Sequence, residues 1–139
     1  EAKLRDAFRK NAGSGSLVGM VGDDTAFAGR KFGNRPLFMG RTENGGYVFS
    51  SEDCMFDLFG ISDPTPVPPG TMYLYEDGSL RNVDIWDHDP GRRFCIFELF
   101  YFSHPLTSFQ GTPISNIRRG FGRRLAEEHP VDADVVTSV

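Results

Sequence analysis

The sequence predicts an α+β fold in which antiparallel strands come first and helices follow. Two observations predict it. Short apolar segments joined by turns rich in Gly, Asn and Asp run through residues 16–86, and this pattern is typical of β-hairpins. Residues 94–104 and 115–128 instead carry apolar side chains at helical spacing. A polar connector at residues 87–93 lies between the two parts, and we predict a domain boundary there.

Composition excludes several classes of protein. The chain has 139 residues, of which 39% are hydrophobic, and its thirteen Phe residues exclude a disordered chain. No apolar stretch reaches the roughly 18 residues that span a bilayer, so we expect no membrane partner. The net charge of −4 argues against nucleic-acid binding. Two cysteines are too few for a disulfide scaffold, and they predict a reducing, cytoplasmic location.

The first part begins with an amphipathic helix at residues 1–10, where Leu4 and Phe8 share one face. Hairpin turns then separate short apolar segments. The clearest turn is residues 44–46 (NGG), because Asn and Gly tolerate positive φ. Some amidotransferases use an Asn-Gly pair to hold an oxyanion, but the position between two strands favours a turn. The predicted strands are residues 16–21, 25–29, 37–42, 47–51, 71–75 and 80–86.

A short helix is predicted at residues 53–60, between the fourth and fifth strands. Asp53 is placed to cap its beginning and Gly60 to end it. Residues 61–70 hold four prolines and predict an extended surface loop. The helix residues expected to be buried are Met55, Phe56, Leu58 and Phe59.

Residues 94–102 are nearly all apolar, with Glu98 as their one charged residue. Periodicity does not separate a buried helix from a buried strand here, but the spacing favours a buried helix that ends before Pro105. A buried carboxylate is costly unless it is paired, so we expect Glu98 to meet an arginine. The candidate partners are Arg93, Arg118 and Arg119.

A final helix is predicted at residues 115–128, with Ser115 as its cap. Gly120 and Gly122 each lower helix stability by about 1 kcal/mol relative to Ala, so we expect close backbone packing beside them. Residues 133–136 are typical of the start of a buried strand. Since chains rarely end in such a strand, we expect the sequence to be a piece of a longer protein.

Titratable and metal-ligating side chains form no complete site in the sequence. His88, His104 and His129 stand in polar loops or at a helix end, where solvated histidines are normal. Cys54 and Cys95 are far apart and lack Cys-x-x-Cys spacing, which favours structural thiols. Arginines of the last helix predict a solvated or interface face rather than a phosphate site. These are Arg118, Arg119, Arg123 and Arg124.

Five stretches resemble one known family in order and spacing. Residues 29–37 (GRKFGNRPL) resemble the "RDPxGxRPL" loop of glutamine amidotransferases with an N-terminal-nucleophile glutaminase domain. Residues 47–57 (YVFSSEDCMFD) are similar to "YVVASETCAFD", and residues 69–71 (PGT) to the "EPGE" turn. Residues 95–105 (CIFELFYFSHP) resemble "CIFEYVYFARP", and residues 122–136 (GRRLAEEHPVDADVV) resemble "GRRLAEEHPVEADVV", of the amidophosphoribosyltransferase family.

The resemblance implies an enzyme of de novo purine (IMP) biosynthesis. In this family a glutaminase domain hydrolyses glutamine, and a phosphoribosyltransferase domain uses the ammonia to displace pyrophosphate from phosphoribosyl pyrophosphate. It further implies that residues 1–91 are the C-terminal part of a glutaminase αββα sandwich. Residues 92–139 would be linker helices and the first strand of the phosphoribosyltransferase domain.

The resemblance also assigns the site residues. The expected nucleophile is an N-terminal Cys whose α-amine acts as base, but residue 1 is Glu. We therefore expect no catalytic residue in this segment and no activity from it alone. The intact enzyme would use Mg²⁺ and form a homo-oligomer. Some members bind an iron–sulfur cluster, and one of its Cys ligands stands where Cys95 stands, while other members keep that Cys without a cluster.

Two departures from the family pattern indicate a divergent member. Lys31 replaces the usual Asp, and residues 103–107 (SHPLT) replace "ARPDS". Two alternatives stay open. One is another glutaminase-domain enzyme, similar to asparagine synthetase, against which residues 95–136 argue. The other is a non-catalytic scaffold or regulatory homologue that has lost the chemistry.

Overall fold

The computed structural model describes residues 1–137 and has a mixed α/β fold. Within these residues, nine strands form a four-stranded antiparallel sheet ordered β1-β2-β6-β7, a three-stranded sheet ordered β4-β3-β5, and the separate ribbon β8-β9. The strands are β1 Ser16–Val21, β2 Thr25–Arg30, β3 Phe38–Arg41, β4 Tyr47–Ser50, β5 Thr65–Pro66, β6 Thr71–Glu76, β7 Ser79–Asp84, β8 Ser108–Phe109 and β9 Thr112–Pro113. The six predicted strands are confirmed, whereas β5, β8 and β9 are too short to leave a pattern in the sequence.

Helix α1 (Ala2–Lys10) packs against one face of the four-stranded sheet, as its amphipathic pattern predicts. Phe8 is the buried residue of the helix and reaches Met72 and Leu74 of β6. Because side chains alternate along a strand, Met72 and Leu74 share this face while Tyr73 points to the other. The rest of this core consists of Val83 and Ile85, with Leu4, Phe27 and Trp86 at its margin.

The other face of the same sheet packs against the three-stranded sheet. Ala28 of β2 is fully buried and clusters with Leu37 and Val67, and Tyr73 stands 6.0 Å from Phe49, ring centre to ring centre. On the far side of the three-stranded sheet lies a 3₁₀ helix, Asp53–Phe59. The packing order is therefore helix, sheet, sheet, helix.

Gly29 lets α1 approach the sheet closely. A Cβ at this position would lie 2.7 Å from Cε1 of Phe8, which is 2% exposed and has nowhere to move. We expect Gly29→Ala to lower the free energy of unfolding by about 1–3 kcal/mol through overpacking. Urea unfolding followed by circular dichroism measures this change.

Gly120→Ala is the matched control, because a Cβ at Gly120 meets nothing within 4 Å. Ala is the better helix former by about 1 kcal/mol, so the control is expected to be stabilised. If Gly29→Ala were as stable as the parent protein, the close contact with Phe8 would be disproved.

Close backbone packing was predicted beside Gly120 and Gly122 of the last helix. This prediction was wrong within the described residues, because a Cβ at either glycine meets nothing within 4 Å.

The predicted helix at residues 53–60 forms as the 3₁₀ helix, but with a different buried face. Phe56 is fully buried, whereas Met55, Leu58 and Phe59 are exposed, so the prediction for those three was wrong. The reason is geometric: Phe56 lies against Gly40 of β3, which has no side chain, and a helix this short presents one face to the sheet. The predicted cap was also wrong, since the carboxylate of Asp53 binds another segment.

The apolar run at residues 94–102 forms only a π-helical turn, Glu98–Phe102. The prediction of a buried helix was wrong, because Glu98 and Leu99 alone are buried. Its six other large apolar residues are about half exposed or more, since the described residues cover them only in part, for example Phe109 over Phe94 and Phe121 over Phe100. They are Phe94, Ile96, Phe97, Phe100, Tyr101 and Phe102.

The last predicted helix is confirmed as α2 (Ile114–Glu128). Ser115 does not cap it, because Pro113 occupies the capping position and no side chain caps the helix. The strand predicted at residues 133–136 is wrong: residues 131–137 form no strand, and Val135 and Val136 are more than four-fifths exposed. A strand needs a neighbouring strand for its backbone hydrogen bonds, and none of the described strands pairs with residues 131–136. Any continuation at residues 138–139 lies outside the described residues.

Asp87 ties α1 to the segment that follows β7. Its carboxylate accepts hydrogen bonds from Arg5 (2.7 Å) and Arg9 (3.1 Å). The hydrogen bond from Arg5, aided by the charge of Arg9, holds the pKa of Asp87 below its ordinary value of 3.8. A lowered folded-state pKa contributes stability above the unfolded-state pKa, and this is lost as pH falls through the folded-state pKa.

We therefore expect Asp87→Asn to be less stable than the parent protein at pH 6, with the difference disappearing by about pH 2. Because Asp87 is fully solvated, the effect is small and decreases with added salt. Urea unfolding across this pH range measures it, with the exposed Asp132→Asn as control. A difference that persists unchanged at low pH would contradict the assignment.

None of the helices in residues 1–137 is long and apolar enough to cross a membrane.

Candidate functional site

The loop at residues 30–37, the first family-like motif, is organised by the guanidinium of Arg30. This side chain lies at the end of β2 and donates to three backbone carbonyl oxygens: Arg35 (3.0 Å), Val67 (2.9 Å) and Gly33 (2.9 Å). One side chain thus shapes the loop and attaches it to residues 66–70. Burial lowers the pKa of Arg30, the charge of Arg92 lowers it further, and Glu98 raises it.

A second motif, the Pro-Gly turn at residues 69–71, meets the same loop. The amide of Gly70 donates to the carbonyls of Arg30 and Lys31, each at 2.8 Å. Gly70 has a φ of 81°, in the left-handed region that favours glycine. Lys31, the residue that departs from the family pattern, is buried and donates to the carbonyl of Asn11.

Residues 93–108 contact this loop through an ion pair whose carboxylate is buried and whose guanidinium is half exposed. The Arg35 guanidinium lies 2.5 Å from the Glu98 carboxylate, whose side chain is 6% exposed. The hydroxyl of Ser103 donates to the same carboxylate at 3.3 Å. The sequence correctly predicts an arginine partner for Glu98 but not which one, since Arg35 was not among the candidates. Arg118 instead donates to the carbonyls of Leu99 (2.7 Å) and Ser103 (2.8 Å).

A second contact joins the start of the 3₁₀ helix to residues 104–108. Both oxygens of Asp53 accept the amide of Ser108, at 3.0 and 3.1 Å. Thr107 donates its hydroxyl to Glu52, and Sγ of Cys54 lies 3.4 Å from that hydroxyl oxygen. Sequence reasoning gave Glu52 and Thr107 no role, because their partners lie more than fifty residues away.

Between these contacts lies an open cleft of about 590 Å³. Arg30, Arg92 and Arg93 line it beside Asp53 and Glu98. Both family-like loops, at residues 30–37 and 66–70, and the linker-like segment at residues 93–111 therefore meet at one place. We take this junction as the candidate functional site.

The side chain of His104 lies beside the start of the 3₁₀ helix. His104 Nδ1 lies 3.3 Å from the amide of Leu106 and 3.6 Å from Sγ of Cys54, whereas His88 and His129 are exposed. Cys54 and Cys95 are both free and half-buried. No grouping of three or more His, Cys, Asp or Glu side chains that could hold a metal ion occurs in the described part of the chain.

The turn at residues 44–46 is confirmed, with Gly45 at a φ of 85° between β3 and β4. The basic face of α2 is largely solvated or locally paired. Arg124 forms ion pairs with Glu127 and Glu128 of its own helix, and Arg119 contacts Asn116. The predicted solvated face therefore holds for Arg119 and Arg124, whereas Arg118 is half-buried and donates to backbone carbonyls.

The chain is similar to known enzymes over nearly its whole length, although no protein-family model matches it. It is 38% identical over 137 residues to the chloroplastic amidophosphoribosyltransferase of Vigna aconitifolia, covering 99% of this chain. It is 36% identical over 141 residues to the amidophosphoribosyltransferase of Synechococcus elongatus, covering 98% of it. In both cases it spans 28% of the relative's length.

Two solved structures share the fold, each with a TM-score of 0.82 and 27% identity over 96% of this chain. One is glutamine phosphoribosylpyrophosphate amidotransferase from B. subtilis in complex with ADP and GMP, and the other is described as the allosteric regulatory enzyme of purine biosynthesis. The fold is thus shared with solved structures of a glutamine amidotransferase. The chain is a homologue of the amidophosphoribosyltransferases and corresponds to a little over a quarter of their length.

Proposed function

We propose that this chain is one segment of an amidophosphoribosyltransferase that makes phosphoribosylamine from phosphoribosyl pyrophosphate and glutamine in de novo purine synthesis. The observation that carries the proposal is the match along 98–99% of the chain at 36–38% identity, which includes both loops that meet at the junction. It favours this family over an asparagine synthetase-like enzyme.

We further propose that residues 1–91 form the trailing part of a glutaminase sandwich and residues 92–137 a linker toward the transferase half. The helix, sheet, sheet, helix order of layers supports the first assignment. The contacts of Arg35 with Glu98 and of Asp53 with Ser108 support the second, since they attach a segment outside both main sheets to the part that contains them. The reaction centres lie in other parts of the enzyme.

The residues of this chain do not hold an iron–sulfur cluster by themselves. Such clusters take four protein ligands, usually Cys, and this chain has only Cys54 and Cys95, which lie in different segments. Cys95 supplies at most one ligand, and we derive no step through a cluster or through Mg²⁺.

We also propose a homo-oligomer, because β1 is an edge strand with exposed Val18 and Met20. Two free thiols favour a cytoplasmic location.

An assay of the full-length protein that contains this segment tests the proposal. With glutamine, phosphoribosyl pyrophosphate and Mg²⁺, we expect it to release glutamate and pyrophosphate in equal amounts, and we expect the segment alone to release neither. A full-length protein without either product would instead favour the non-catalytic homologue. Glutamate released by the segment alone would show that it contains a catalytic group.

A further inference from the structure

Directional polar contacts hold residues 93–108 in place, together with ring contacts of Phe94 with Phe109 and of Phe100 with Phe121. Seven large apolar side chains of this segment are about half exposed or more. By contrast, the Glu98 carboxylate is buried and bound by Arg35 and Ser103, and the Ser108 amide is bound by both oxygens of Asp53. Charge-assisted hydrogen bonds have strict geometry, whereas apolar surfaces tolerate sliding. The polar contacts therefore supply the directional constraint on this segment, and the ring contacts add buried area.

The contacts continue without a gap from the sheets to the last helix. Arg35 belongs to the loop that Arg30 shapes, and it binds Glu98. Ser103 binds Glu98 through its hydroxyl, and its carbonyl accepts a hydrogen bond from Arg118 of α2. A displacement of the Glu98 carboxylate would therefore be transmitted to α2 through groups in direct contact.

We propose that Glu98 is a positioning residue that couples the glutamine-hydrolysing half of the enzyme to its phosphoribosyl-transferring half. This inference rests on the proposed function. Water cleaves the amide C–N bond of glutamine, and the ammonia released displaces pyrophosphate at C1 of phosphoribosyl pyrophosphate. When the two halves keep their normal relative positions, one pyrophosphate is released for each glutamate. When the ion pair is lost, α2 shifts relative to the sheets and ammonia escapes before it reacts.

Glu98→Gln in the full-length enzyme is the informative change, because it keeps the size of the side chain and removes its charge. We expect the molar ratio of glutamate to pyrophosphate to rise from about 1 to about 5, the low end of typical coupling between sites. The activity with ammonium chloride in place of glutamine is expected to stay within about two-fold, because this reaction bypasses the transfer between halves. Arg124→Gln, which breaks an exposed ion pair on α2, is the control and is expected to keep a ratio of 1.

Arg35→Lys gives a second measurement if Glu98→Gln folds poorly. It keeps the positive charge but loses the planar guanidinium, so we expect a ratio between those of the parent enzyme and Glu98→Gln. An unchanged ratio in both variants would overturn the inference. An equal fall of the glutamine-dependent and ammonia-dependent activities would also overturn it, because Glu98 would then be merely structural. If the parent enzyme forms neither product, the proposed function fails instead.

Discussion

Replacing Arg30 with methionine is expected to lower the free energy of unfolding by roughly 3 kcal/mol or more, since three hydrogen bonds from a charged group are lost together. The methionine fills similar space but donates nothing to the carbonyls of Gly33, Arg35 and Val67. Because these carbonyls belong to both loops of the junction, we expect the loops to separate as well. Urea unfolding measures the first effect, and faster amide hydrogen exchange at residues 30–37 reports the second.

Two further variants distinguish the geometry of Arg30 from its charge. Arg30→Lys keeps the charge, but a lysine cannot reach three carbonyls at once. We therefore expect it to recover less than half of the free energy of unfolding that Arg30→Met loses. Arg119→Met removes an exposed arginine whose side chain contacts Asn116 of its own helix, and it is expected to change stability by less than about 0.5 kcal/mol. Full recovery in Arg30→Lys would show that charge, not the forked geometry, holds the loop.

Phe56→Ala is expected to cost about 3–5 kcal/mol, the usual range for removing a fully buried phenylalanine. The ring of Phe56 lies over Gly40 of β3, so its loss leaves a cavity between the 3₁₀ helix and the sheet. The helix also positions Asp53, whose carboxylate holds the amide of Ser108. We therefore expect increased hydrogen exchange at Ser108 in addition to the loss of stability measured by urea unfolding.

Phe59→Ala is the matched control, since Phe59 lies in the same short helix but is 55% exposed. We expect this change to cost less than about 1 kcal/mol. Similar losses in the two variants would mean that the helix does not present Phe56 alone to the sheet. The two variants together also test whether the exposed apolar side chains of this helix contribute little to stability.

Elements formed by neighbouring residues could be predicted from the sequence. The turn at residues 44–46 follows from the conformational freedom of Asn and Gly, and α1 follows from the spacing of Leu4 and Phe8. The prediction failed where burial depended on distant segments. Residues 94–102 are apolar enough for a buried helix, yet the described residues leave most of that run uncovered.

The sequence by itself determined the hairpins, both α-helices, the family resemblance and the need of Glu98 for an arginine. Only the tertiary structure decided that Arg35 is that arginine, that Arg30 binds three carbonyls, and that Asp53 holds Ser108 instead of capping its own helix. The physical reason is the separation along the chain over which each interaction acts. Turn and helix preferences act between residues a few positions apart, whereas the partner of a buried charge is set by which segments the folded chain brings together.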